Sequence, residues 1–401
     1  MIPSFAQPAA EELTGRYVVT FRDNDDGEGF KLLRNHGGLR DLVHARDFEG
    51  QAVRPDDVIS RDGTVFDELN ICVVNCPATI AAQIAAHADA SAVLSIEPEH
   101  KVYAIGTTSE QFTRPEYINT SNETWGLTAT NNSSTKFKGR GISVAVLDTG
   151  IDATHPDLSA VVDLSRQQSF LRDGDTHDRN GHGTHCAGIV AGSSQPEHAP
   201  TYGVAPEVNL FIAKVLDEQG CGDVRGILGG LNWAVANRCE VVSLSLGASF
   251  ESPAVMFEEA GRRALDAGTL VVAAAGNNAN RDNGQFGFVM RPANSRSIMA
   301  VGAVDRKMRP ASFSSRSSVV SGGEVDIVGP GVEIFSCWPG QGSYKAMSGT
   351  SMAVPFVVGT AAKCAEATGA RGRDLWKLLL ESALSLPHPT VDVGAGLIQA
   401  N

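Results

Sequence analysis

The stretch Ser348-Gly349-Thr350-Ser351-Met352-Ala353 sets one hydroxyl at a chain reversal that opens a helix. Pro355 and an apolar run over residues 356–362 follow it. Gly349 is free of the Cβ restriction, and Pro355 stands early enough to be tolerated near a first turn. A serine at that place lies at the positive end of a helix dipole, where developing negative charge is favoured. Taken alone, Ser351 reads as an ordinary helix N-cap. Its other reading is a nucleophile, and a serine hydroxyl needs a base for that, usually a histidine whose tautomer is fixed by a carboxylate. Both residue types occur upstream in special settings. The apolar run 142–147 ends in Asp148-Thr149-Gly150, and Gly181-His182-Gly183-Thr184-His185 precedes the small-residue run 186–192.

These side chains need a scaffold that brings distant segments together. Residues 142–147 read as a buried strand, which puts Asp148 at its carboxyl end, where open α/β sheets place their chemistry. Further on, strands are predicted over 208–216, 241–246 and 269–275, with extended segments over 297–304 and 325–337. Helices are predicted over 186–192, 225–237, 253–267 and 372–384. Continuous apolar strands between amphipathic helices imply an α/β fold, a mostly parallel sheet with helices on both faces. The first hundred residues read differently. Strand character over 16–21, a short helix after Glu28, strand formers over 66–74, an Ala-rich helix over 77–90 and strand character over 92–105 give the ferredoxin-like order of a small α+β unit.

In that order, Asp148-Thr149-Gly150, Gly181-His182-Gly183-Thr184-His185 and Gly349-Thr350-Ser351-Met352-Ala353 resemble the three signature blocks of the subtilisin-like serine proteases, with a proteinase-K-like flavour. The resemblance implies a serine endopeptidase acting on peptides or proteins through an acyl-enzyme, with Asp148, His182 and Ser351 as its triad. Ala273-Ala274-Ala275-Gly276-Asn277 matches the block that supplies the oxyanion donor, so Asn277 takes that role, while Ala274, Ala275 and Gly276 line the pocket for the residue before the cut. Gly220-Cys221-Gly222 and Ser245-Leu246-Gly247 match the two segments that hold an extended substrate between them.

The same resemblance divides the chain into a tail (1–15), an inhibitory propeptide domain (16–105), a linker (106–124) and a catalytic domain (125–401). Self-cleavage is expected near residues 104–107. In the family the propeptide helps the protease fold and then inhibits it from the active-site cleft. Cys186 stands four residues after His182, at a position that often carries a free thiol in proteinase-K-like relatives. Chemistry of this kind requires no cofactor. Structural calcium is implied only through Asp157 in His155-Pro156-Asp157-Leu158. The matching calcium loop is not recognisable between Gly192 and Gly203, so Asp157 is expected to be a plain loop carboxylate.

Composition narrows the field further. Charged residues make up 20% of the chain and the net charge is −13, which argues against nucleic acid or an anionic membrane as a partner. No apolar stretch reaches the roughly 20 residues of a membrane helix. Seven cysteines without a C-x-x-C pair argue against a disulfide framework or zinc site. With no secretory-type start, the sequence as it stands reads as cytoplasmic, or as secreted after loss of a signal peptide. Two rivals remain: a catalytically silent binding protein of the same fold that retains its prodomain, and an α/β-hydrolase. The second requires the order Ser, acid, His and a G-x-S-x-G elbow, whereas Ser351 comes last here.

Overall fold

The computed structural model describes residues 12–23, 27–48, 53, 55–58, 60–87, 92–105, 122–172, 174–197, 199–340 and 342–400. The tail up to residue 11 and the linker over 106–121 lie outside the described residues.

The N-terminal layer is built from β1 (Leu13–Phe21), α1 (Glu28–Gly37), β2 (Leu42–His44), the single turn α2 (Pro55–Val58), β3 (Gly63–Phe66), β4 (Ile71–Val74), α3 (Ala78–Ala86) and β5 (Val93–Ala104). Its strands lie in the order β5-β1-β4-β3-β2, antiparallel except for the β2/β3 pair. Without the short edge strand β2, this is the ferredoxin-like arrangement expected. Alternation along each strand gives the sheet two apolar faces. Val19, Phe21, Cys72, Val74 and Val93 form a small core with Leu32, Leu33 and Ile84 of the two helices. Val18, Ile71, Val73 and Val102 face the other way and join the main core. The strand expected over 66–74 is in fact two strands. Asp67–Leu69 turns the chain in a 3-10 helix and Asn70 takes the left-handed conformation (φ 50°) that asparagine tolerates better than most residues.

After α4 (Trp125–Ala129), the rest of the chain winds around a second sheet. Its strands are β6 (Ser143–Asp148), β7 (Gln167–Ser169), β8 (Asn209–Lys214), β10 (Val241–Leu244), β12 (Leu270–Ala274), β13 (Met299–Val304) and β14 (Ile327–Pro330). They lie in the order β14-β13-β12-β10-β6-β8-β7, and every pairing is parallel. β10, β12, β13 and β14 are buried at every residue, as expected when both faces are covered. The covering helices are α5 (His182–Ala191), α6 (Val224–Ala236), α7 (Val255–Asp266), α8 (Thr350–Thr368) and α9 (Gly372–Ser382), with the short α10 (Thr390–Val393) near the end. The extended stretch expected over 325–337 is divided between β14 and β15 (Ile334–Trp338). β15 forms a hairpin with β16 (Ser343–Met347), which periodicity did not indicate.

Two short strands remain, β9 (Cys221–Asp223) and β11 (Leu246–Gly247). Both pair antiparallel with the end of β5, one on each side. The N-terminal layer thus reaches the second sheet through its last strand, and it also docks on α6 and α7. Glu97 accepts from the amides of Val255 and Met256 at the start of α7 (3.1 and 2.8 Å), and Glu99 accepts from the Arg225 amide in α6 (2.7 Å). Buried Arg263 of α7 donates to the carbonyls of Leu69 and Phe21 (2.5 and 2.6 Å). All seven cysteines are free thiols, and no helix among the described residues is long and apolar enough to cross a membrane.

Candidate active site

Asp148 ends β6 as expected, and both of its oxygens lie within reach of His182 Nδ1 (2.8 and 3.0 Å). A backbone amide, that of Thr149, also donates to Asp148 Oδ1 (2.7 Å). His182 is the first residue of α5, so the helix begins four residues earlier than the apolar run indicated. The reason lies in Asp178. Its carboxylate accepts from the amides of Asn180, Gly181 and Thr184, and from the hydroxyls of Thr149 and Thr184 (2.6–3.0 Å). That one buried acid ties the loop after Asp148 to the first turn of α5, and so sets the distance between acid and imidazole. Lys214, 1% exposed, holds the same loop from beneath through the carbonyls of Thr149 and His177 (2.6 and 3.1 Å). Neither residue has a sequence signal beyond an Asx-turn pattern before Gly181.

Ser351 is the second residue of α8. Pro355 lies inside this helix and has no N–H for the carbonyl four residues back, that of Ser351. That carbonyl is bonded instead by the hydroxyl of Ser245 (2.9 Å), with the Cys186 thiol at 3.7 Å. Ser245 thus completes the hydrogen bonding of the turn that carries Ser351.

The cleft between β9 and β11 is filled by the chain's own residues. Lys101, Val102 and Tyr103 pair with Asp223, Gly222 and Cys221, while Tyr103 and Ala104 pair with Gly247 and Leu246. Ala104 N donates to Gly220 O (2.8 Å) and Ile105 N to Ser245 O (3.3 Å). The carbonyl of Ile105 then lies against the Ser351 hydroxyl, with Asn277 Nδ2 at 3.5 Å. Asn277 is held in the orientation that presents its NH2 group, because Thr350 donates to its Oδ1 from both amide and hydroxyl (3.0 and 2.9 Å). The Thr350 hydroxyl in turn accepts from Gly276 N (3.2 Å). Thr350, adjacent to Ser351, orients Asn277, a role that motif reading passed over. Ala274 and Ala275 are buried beside it at the end of β12.

One expected bond is not made. The Ser351 Oγ lies in reach of the carbonyls of Ile105 and Ser245 (the latter 3.0 Å), and His182 Nε2 has no hydrogen-bond partner. With the cleft occupied, the serine proton has competing acceptors; such bonds often tighten only along the reaction. Burial alone would lower the pKa of His182, yet the Asp148 carboxylate outweighs it and holds the imidazole well above its ordinary value. Cys186 is fully buried 3.9 Å from His182 Nδ1, and burial raises its pKa, so it is a neutral thiol.

Asp157 is not a plain loop carboxylate. It is buried, and its Oδ2 accepts from the phenols of Tyr202 and Tyr344 (2.7 and 3.0 Å). Calcium takes six to eight oxygen ligands, and no group of three or more His, Cys, Asp or Glu side chains surrounds Asp157 among the described residues. Asp157 Oδ2 is thus committed to two phenol donors.

Residues 139–396 match the subtilase family. The chain belongs to that family. Subtilisin DY of Bacillus licheniformis is 40% identical over 228 residues, covering 56% of this chain and 77% of its own. Subtilisin Savinase of Lederbergia lenta is 43% identical over 225 residues (56% and 76%), and an intracellular serine protease of Paenibacillus polymyxa 40% over 230 (56% and 67%). This subtilase is a subtilisin-like serine endopeptidase, and its parallel sheet with covering helices is the fold the three motifs implied.

Proposed function

We propose that the chain is a zymogen that cuts itself at the Ile105–Gly106 bond and then hydrolyses other peptides through Asp148, His182 and Ser351. The observation that carries this reading is the carbonyl of Ile105, set against the Ser351 hydroxyl with Asn277 beside it, at the end of a strand held on both edges. Ser351 Oγ attacks the carbonyl carbon and passes its proton to His182 Nε2. The oxyanion is held by Asn277 Nδ2 and the Ser351 amide. His182 gives the proton to the leaving Gly106 amine, and water, activated in the same way, releases the acyl group. Asp148 keeps Nδ1 protonated and stabilises the imidazolium. After the cut, residues 16–105 remain as a product-like inhibitor anchored on α6 and α7. The filled cleft and the unpartnered His182 Nε2 suit a silent binding protein as well, but that rival gives no reason for the Asp148–His182 bond or for the Asn277 amide beside the Ile105 carbonyl.

Incubation of the full chain, followed on gels and by mass spectrometry, tests the reading. Wild type should release a fragment ending at Ile105 and expose Gly106 as a new N-terminus, while Ser351→Ala stays intact. Cleavage at the same bond in Ser351→Ala, or an intact wild type that also fails to react with a fluorophosphonate probe, would rule it out.

A further inference from the structure

We propose that Met290 closes the end of the pocket for the side chain before the cut, so that this protease selects a β-branched aliphatic residue there over an aromatic one. The inference deepens the proposed function, because it takes Ile105 as the residue before the cut. The side chain of Ile105 is enclosed, only 6% of the residue remaining exposed. One wall is Gly247, where a methyl group would stand 2.8 Å from Ile105 Cδ1 and 2.5 Å from the Arg291 carbonyl. The opposite wall is the end of β12 with Gly276, next to the Asn277 that reaches the same Ile105 carbonyl.

A short strap of chain joins the two walls. Met290 N donates to Ala275 O (2.9 Å), and Arg291 exchanges backbone bonds with Ala248 (2.9 and 3.2 Å). From that strap the Met290 side chain lies over Gly276: its Sδ and Cγ are 2.5 and 2.7 Å from where a Cβ of Gly276 would be. Two walls that carry no side chain at Gly247 and Gly276 would leave a wide slot. The thioether instead fills the space that Gly276 opens, and the strap stops the walls from spreading. A branched four-carbon side chain fits what is left, and an aromatic ring requires Met290 to move. The neighbouring positions are graded as well. Val102 is fully buried, Tyr103 is 40% exposed, and the Ala104 Cβ lies 3.3 Å from where a Gly220 Cβ would be.

The test uses the full chain after it has processed itself, with fluorogenic peptides Val-Tyr-Ala-X in which X is Val, Ile, Leu or Phe. Wild type should favour Ile or Val over Phe in kcat/KM, and Met290→Ala should raise the Phe/Ile ratio at least about tenfold, the scale on which pocket size discriminates. Self-cleavage supplies a second readout that needs no added peptide. Ile105→Phe should slow release of the N-terminal fragment, and adding Met290→Ala should restore it. A wild type that prefers Phe, or a Phe/Ile ratio unmoved by Met290→Ala, overturns the pocket assignment while leaving the endopeptidase reading intact. Should Met290→Ala not fold, the wild-type ratio and the Ile105→Phe precursor decide. Absence of all turnover and of fluorophosphonate labelling would overturn both readings.

Discussion

At the scale of single residues, the site is an imidazole whose two nitrogens have been given different environments. Nδ1 is locked on Asp148, and this raises the pKa of His182 despite complete burial. In the proposed mechanism His182 must be neutral to accept the serine proton, so activity should be lost as pH falls through that raised pKa. The acid limb of kcat/KM is therefore expected above the ordinary histidine value of about 6.5. Asp148→Asn should move the limb down and lower kcat by about 10⁴-fold, as the tautomer is lost; a pH–rate profile of both proteins checks this. If Asn277 is the oxyanion donor proposed, Asn277→Ala should lower kcat by about 10²–10³ with little change in KM, because such a donor acts on charge that forms only in the transition state. Thr350→Val keeps the shape and the backbone N–H bond to Asn277 Oδ1, but removes the hydroxyl that also holds the Asn277 amide. A smaller fall in kcat, of about tenfold, is expected in steady-state kinetics, with rescue by Thr350→Ser.

At the scale of elements, the helix bearing Ser351 tolerates an interior proline because another strand end supplies the missing donor. Removing the Ser245 hydroxyl leaves the Ser351 carbonyl buried without that bond, so Ser245→Ala should cost about 1–3 kcal/mol of stability. Pro355→Ala returns an amide to the same carbonyl. Urea unfolding of the single and double variants, in a Ser351→Ala background that prevents autolysis, should show the two substitutions coupled rather than additive. Much of this level was legible in advance. Apolar runs located β6, β10 and β12, and Asp148 fell at a strand end, because buried parallel strands leave an unbroken hydrophobic signal. The start of α5 was not legible, since it depends on the Asp178 carboxylate collecting amides and hydroxyls from two segments. Asp157 was misjudged for a similar reason: its partners Tyr202 and Tyr344 come from distant segments.

At the scale of the whole molecule, one face of the N-terminal layer joins the main core around the parallel sheet, and the last strand of that layer fills the cleft. His100 lies in that junction, 1% exposed, its ring 4.6 Å from that of Phe250, with Nε2 unpartnered. Burial, with Arg291 nearby, lowers its pKa to about 4. Once the layer detaches, His100 should titrate near 6.5. Above pH 6.5 it is neutral in both states. Between 6.5 and 4 only the detached form takes up the proton, so docking should weaken as pH falls, by up to about 3 kcal/mol. After the proposed self-cleavage, size-exclusion chromatography should show the two parts together at pH 7.5 and separating near pH 4.5. His100→Phe should remove much of that dependence.

What the sequence determined by itself is the chemistry and the class of fold. A serine, a histidine and an aspartate stood at turns with an acidic-to-nucleophile order, and alternating apolar runs and helices dictated a covered parallel sheet, because both signals are local. Only the tertiary structure decided which groups finish the site. Thr350 orients Asn277, Ser245 satisfies the carbonyl that Pro355 abandons, Asp178 joins two loops, and Ile105 fills the cleft. Each is a contact between residues far apart in the chain, whose hydrogen-bonding needs are written in the sequence but whose partners are chosen by the packing.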